Sequence, residues 1–331
     1  MKDFRNDIPE KLNIFIALTS YSLSIWFLHL VNTVNNYGLK FFYAILFGLI
    51  GNTIFSLLHE SVHGVFSRNR SINDWFGRIS AAFFPTSLTM QQIFHLGHHR
   101  RNRTDAEMFD QYYETDNKWI KKFVIYTLLT GFYWPSSPFA NLVFLFCPWL
   151  FKSRSFRKND LMNKTSFDAM LSGLDRKSAP HTKIRLEILF TIFIQALIIY
   201  TLNISLLTWF ICYWTFAILW SSLQYTDHAW SPRDIREGAW NLRVSKLTHL
   251  IWLNYHYHLN HHRYPNISWI HLPKISHIND PSPSFWEIYF KLWKGPTKTD
   301  TPSPSPNDFI EENIYSNTSI GDFLSKDKKR N

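Results

Sequence analysis

Most of the 15 histidines in this chain fall in three short windows. The first is His59-Glu60-Ser61-Val62-His63 and the second is His95-Leu96-Gly97-His98-His99. The third is His256-Tyr257-His258-Leu259-Asn260-His261-His262. Imidazole is a common metal ligand, and helical spacing decides which rings can share an ion. Residues i and i+4 lie on one face, so His59 and His63 point into one site. In each HxxHH pattern the first two histidines share a face, and the third is turned by about 100° towards a neighbouring ion. Eight such ligands exceed a tetrahedral zinc site and suit two ions with about four ligands each. The isolated His29, His181, His249, His271 and His277 read instead as surface or capped residues. Packing alone does not account for the three clusters. Crowded imidazoles repel when protonated and lack partners when buried neutral. The first window also spells HExxH, with Glu60 as the would-be general base of a zinc protease. That reading uses two histidines and one further ligand, and leaves both HxxHH clusters idle. Counting bound metals separates the two readings.

Long apolar runs supply the elements that must hold these windows. Residues 14–34, 41–58, 184–202 and 204–225 approach the length of about 20 that a helix needs to cross a bilayer. The links between the members of each pair are short, so the runs read as two helical hairpins. Lys2, Arg5 and Lys11 precede the first run, and Arg68, Arg70 and Arg78 follow the second. Lys40 is almost the only charge in the outer links, which places both termini and the long central segment in the cytosol. The net charge of +10 then reflects topology and attraction to anionic lipid rather than nucleic acid. Residues 123–151 are apolar but broken by Pro135, Pro138 and Pro148, which is open to two short crossings but favours a re-entrant pair or interfacial helices. The organisation expected is a cytosolic segment over 1–13, a membrane domain over 14–294 and a disordered polar tail over 295–331. The last residues, Lys328-Lys329-Arg330-Asn331, fit a short dilysine pattern. Cys147 and Cys212 read as buried free thiols, and the polar, mixed-charge start reads as no cleavable signal peptide.

His59-x3-His63, His95-x2-His98-His99 and His258-x2-His261-His262 resemble, in order and spacing, the three boxes of the membrane fatty-acid desaturase and hydroxylase superfamily. The likeness covers about residues 14–293. Residues 254–265 resemble the Asn-Tyr-His…His-His…Tyr-Pro context of bacterial members, with His256-Tyr257 inserted before His258. His256 can therefore replace His258 as a ligand or stand behind it, and the spacing to His261 favours His258. The resemblance implies an all-α integral membrane fold: four transmembrane helices as two hairpins, with a cytosolic helical cap carrying the boxes. It also implies a further ligand near the end of the fourth span, where His228 sits, with Gln224 one turn earlier able to hold a water on the metal. The implied ligand set is His59, His63, His95, His98, His99, His228, His258, His261 and His262. Glu60, Asp105 and Asp227 are the nearby carboxylates that would accept the outer imidazole N–H groups.

What the resemblance implies chemically is two iron ions, O2 as co-substrate and two external electrons, acting on an unactivated C–H bond of a fatty acyl chain. A double bond is the favoured outcome. Hydroxylation, oxidative decarboxylation to a terminal alkene and carotenoid oxidation use the same scaffold. No NAD(P), flavin or fused haem motif is recognisable, so a separate donor is expected, such as a ferredoxin or a small cytochrome with its reductase. Aromatic segments 75–84 and 132–149 either line an acyl channel or form an interfacial belt. Arg100, Arg101 and Arg103 meet headgroups, an anionic substrate head or an acidic donor, or serve topology alone. Asn102-Arg103-Thr104 is a glycosylation sequon by letters only. A metal transporter would place its ligands near the bilayer midplane, whereas these lie at the membrane edge.

Overall fold

The structure, a computed structural model, describes residue 4 and residues 7–152, 170, 173–174 and 179–305. Lys2, Arg5 and the tail beyond residue 305, with its dilysine-like end, lie outside the described residues. The chain forms a first hairpin from α1 (Glu10–Thr33) and α2 (Tyr37–Val62). It then continues through α3 (Arg70–Phe83), α4 (Leu88–Arg101), α5 (Lys118–Leu129) and α6 (Ser136–Phe146). A second hairpin, α7 (His181–Thr201) and α8 (Leu206–Thr226), leads into the shorter α9 (Lys246–Ile251), α10 (His258–Arg263) and α11 (Phe285–Leu292). Helices α1, α2, α7 and α8 are long and apolar enough to cross a membrane. The architecture is all-α and multi-pass.

Local chemistry fixes the hairpins. Asn36 caps α2 by accepting from the Leu39 N–H, and Ser205 caps α8 by accepting from Thr208. The two tight turns are joined to each other: the Asn32 amide donates to Asn203 O at 3.1 Å and accepts from Ser205 N at 3.0 Å. In the bundle, α2 packs between α1 and α8. Gly51 makes the close approach to α8 possible, because a Cβ there would run into the Phe216 ring. Phe15, Trp26, Phe41, Phe193, Leu206 and Phe210 point outwards, and such apolar exposure along spanning helices is the face presented to lipid.

Two departures concern the ends of elements. Helix α2 runs a turn beyond its apolar run, because its polar residues find partners. Thr53 Oγ1 donates to Ile251 O at 2.8 Å and Ser56 Oγ to Trp252 O at 2.9 Å, so the last turns are buried rather than solvated. Residues 295–305, assigned to the polar tail by composition, are tied to the body. Thr297–Lys298 pairs in parallel with Gln111–Tyr112, and Tyr113 OH donates to Thr301 O at 2.9 Å. Within the proline-broken stretch, α5 and α6 are each too short to cross, and Gly131 (φ 83°) turns the chain between them.

Candidate metal centre

Helix α2 ends inside a cluster of imidazoles. His59 occupies its last turn and His63 caps it, the His63 N–H donating to His59 O at 3.2 Å. His95, His98 and His99 lie on α4, whose start is pinned by a buried anion. Glu187 of α7 accepts from Thr89 N at 2.8 Å, Thr89 Oγ1 at 3.0 Å and Arg78 Nε at 3.1 Å. A carboxylate at a helix N-terminus also complements the helix dipole. His258, His261 and His262 lie on α10, entered through Leu253 and Asn254 at positive φ (44° and 59°). Asn tolerates that conformation, and its amide here donates to Trp269 O at 3.0 Å. Asn260 fixes the helix itself by donating to Leu272 O at 2.8 Å and accepting from the Asn241 amide at 3.0 Å. His228 follows α8 and its Nδ1–H donates to Gly238 O at 2.8 Å. Position 238 admits no side chain, since a Cβ would collide with Asp234 O and Arg103 Cγ.

These segments bring all nine sequence-predicted histidines together. His59, His63, His95 and His261 offer ligand atoms that all lie within 4.8 Å of one another, and so do His98, His228, His258 and His262. His99 sits at the first group, its Nε2 3.1 Å from His95 Nε2 and 3.0 Å from His261 Nε2, with its ring against His262.

The side chains fit cations. His59 Nε2 and both ring nitrogens of His63 are buried without a hydrogen-bond partner. Because His228 donates from Nδ1, its Nε2 carries a lone pair, which faces His258 Nε2 at 3.0 Å; His262 Nε2 lies 3.2 Å from the same atom. A cation between these nitrogens would accept a lone pair from each. Two ligands held about 2.0–2.2 Å from one ion are about 3–4 Å apart, which matches these spacings. Burial holds the His63 pKa down at about 3, with help from His98. Burial first, and neighbouring imidazoles second, hold His95, His99, His228, His258, His261 and His262 well below the usual histidine range. The rings are therefore neutral and available as ligands near pH 7. Histidine-dominated groups of this kind are unlike the Glu-rich sites of soluble di-iron bundles.

The residues beside the boxes divide. His258, not His256, joins the cluster; His256 turns away and packs on His249, with Nε2 3.3 Å from His249 Nδ1. Glu60 is an anchor rather than a base at the metal face. Its Oε2 accepts from Ser268 Oγ at 2.8 Å and Trp269 N at 3.1 Å. Asp105 is half exposed and bonds Tyr113 OH and Arg233, away from the imidazoles. The carboxylate that does reach a ring from behind is Glu107, missed in the sequence, at 2.5 Å from His98 Nδ1. Burial alone would raise its pKa, yet His98 and Arg101 hold it below the usual carboxylate value. Removing an acceptor behind a ligating histidine typically costs about 10- to 100-fold in metal affinity. Glu107→Ala is expected to show a loss of that size in a chelator competition; parent-like affinity would end the orienting role.

Gln224 lines a cavity of about 150 Å³ beside His95, His98, His228 and His258. Phe55, Phe109, Leu128 and Trp220 form its apolar walls, and Tyr133, Ser136 and Ser137 of the second aromatic segment close one side. The first aromatic segment does not line it; its Phe84 packs behind the wall on Phe55 and Trp220. The three arginines do not form a surface patch. Arg101 is 3.2 Å from Glu107, and Arg103 is wholly buried against Asp110 at 2.7 Å. Asn102 is buried as well, donating to Ile235 O and Gly238 O, so the sequon is not accessible.

The sequence pattern of the family described as Fatty acid desaturase matches residues 39–290. Curated proteins provide no match to the chain.

Proposed function

The chain belongs to the fatty acid desaturase family, and from that premise we propose that it desaturates a long acyl chain at a centre of two irons. The observation that carries this is the pair of four-histidine groups, with His99 beside them, opening on an apolar cavity. Two irons there would supply oxidation of an unactivated C–H bond with O2. The balanced change is R–CH2–CH2–R′ + O2 + 2 e⁻ + 2 H⁺ → R–CH=CH–R′ + 2 H2O, with the electrons from a separate ferredoxin or small cytochrome. The imidazole ligands are the nine histidines.

The protein's own part is binding and exclusion. Glu107 and Gly238 O fix which ring nitrogen of His98 and His228 carries the proton, leaving Nε2 for the metal. Phe55, Phe109 and Trp220 keep the reacting methylene dry and still. Each buried CH2 contributes about 0.8 kcal/mol to holding the chain. The centre and both termini face the cytosol, following the arginines after the second span.

The test is turnover of deuterated acyl substrates by purified, iron-loaded protein with donor and reductase, read by mass spectrometry. Loss of two hydrogens is the expected product. Gain of one oxygen would transfer the reading to a hydroxylase, loss of the carboxyl carbon to a decarboxylase. Absence of any O2-dependent product from acyl or carotenoid substrates would remove it.

A further inference from the structure

Among the groups around the cluster, Asp227 is unlike the rest. It is fully buried at the end of α8, and neither carboxylate oxygen has a hydrogen-bond partner. An unpartnered buried carboxylate is costly, because its lost hydration is not replaced. Its ion-pair contacts are imidazole nitrogens: Oδ2 is 3.6 Å from His258 Nε2 and Oδ1 is 3.9 Å from His228 Nε2.

The side of the ring matters. Acceptors that steer a ligating histidine sit behind it, on the nitrogen that does not bind metal. Glu107 does so at His98 Nδ1, and Gly238 O does so at His228 Nδ1. Asp227 approaches from the other side, towards the Nε2 atoms. With the His228 proton on Nδ1, Asp227 Oδ1 faces the lone pair of His228 Nε2. A cation between the two groups makes that contact attractive. Its spacings also lie in the range of about 3–4 Å expected between ligands of one ion.

We infer that Asp227 is the anionic member of the His98–His228–His258–His262 site, facing the metal itself rather than orienting an imidazole. This rests on the reading of two bound metals given above. It makes the two ions unequal: among the described residues the His59–His63–His95–His261 group has no such contact, whereas its neighbour carries a negative charge. The site with the carboxylate would bind a divalent ion more tightly for that reason and hold it in a more oxygen-rich field.

The experiment uses the full chain in detergent, titrated anaerobically with ferrous iron, with bound iron counted and Mössbauer spectra recorded. The parent is expected to hold two irons with two distinct quadrupole doublets. Asp227→Asn keeps the shape and removes the charge. It should bind one of the two irons about 10- to 100-fold more weakly and shift only that doublet. Asp227→Glu, which restores the charge, should recover most of the affinity and guards against loss of fold in the first variant. Two irons with unchanged affinity and spectra in Asp227→Asn would overturn the inference and leave the binuclear reading standing. A parent that binds no iron would overturn both.

Discussion

Replacing His261 with alanine is expected to empty the site it shares with His59, His63 and His95, and to abolish turnover. His261 comes from α10, while the other three come from α2 and α4, so it is the ligand that closes the group across the fold. It is buried, and its Nε2 also approaches His99 Nε2 at 3.0 Å. Losing a ligand removes more than losing the acceptor behind one, which already costs about 10- to 100-fold. Turnover should therefore fall by more than about 100-fold, with iron reduced from two to one per chain. His98→Ala probes the other group in the same way, since His98 sits there with His228, His258 and His262. Iron counting and product analysis on both variants decide the matter. Full activity in either would remove that residue from the site.

Replacing Arg103 with alanine should lower stability by about 3–5 kcal/mol, the usual cost of breaking one partner out of a buried ion pair. Arg103 is fully buried, and its guanidinium holds both oxygens of Asp110, at 2.7 and 3.0 Å, and the Ser231 carbonyl at 3.2 Å. Asp110 also accepts from Tyr225 OH and from the Trp230 N–H at 2.6 Å. The pair thus joins the segment after α4 to the end of α8. Without the arginine, Asp110 loses the partner that holds its carboxyl below the usual carboxylate range, and burial is left uncompensated. Lysine should not rescue it, because it cannot present two parallel donors to one carboxylate. The damage should reach the metal centre, since Arg103 Cγ packs on Gly238, whose carbonyl holds His228. Thermal unfolding in detergent measures this, and a parent-like midpoint for Arg103→Ala would contradict it.

Arg103 also shows where a sequence stops being readable. Beside Arg100 and Arg101 it looks like topological charge, because the excess of cations after a span is a bulk property. Its fate depends on one left-handed residue: Arg103 itself has φ 59°, which turns the side chain inwards towards an aspartate seven positions on. Asp105 and Glu107 fail for a related reason. Both follow the second box, and a single short 3-10 turn sends Glu107 to His98 and Asp105 to the surface. No periodicity exists over three residues to tell them apart. The spans were legible because apolar runs of that length have few alternatives. The box histidines were legible because helical spacing is local, and the same spacing separated His258 from His256. Glu187 was hidden inside an apolar run, where nothing nearby in sequence announces that Thr89 and Arg78 will meet it.

Both four-histidine groups take members from the same six-residue helix, α10: His261 for one, His258 and His262 for the other. Neither group is complete in any part of the chain that stops short of it, although His59, His63 and His95 are made much earlier. Neither group can therefore be complete until α10 is in place, whatever the order in which the spans insert. The hairpins can settle in lipid one after another as each apolar run emerges. The centre instead waits for one short helix to dock, and that single movement finishes both halves together.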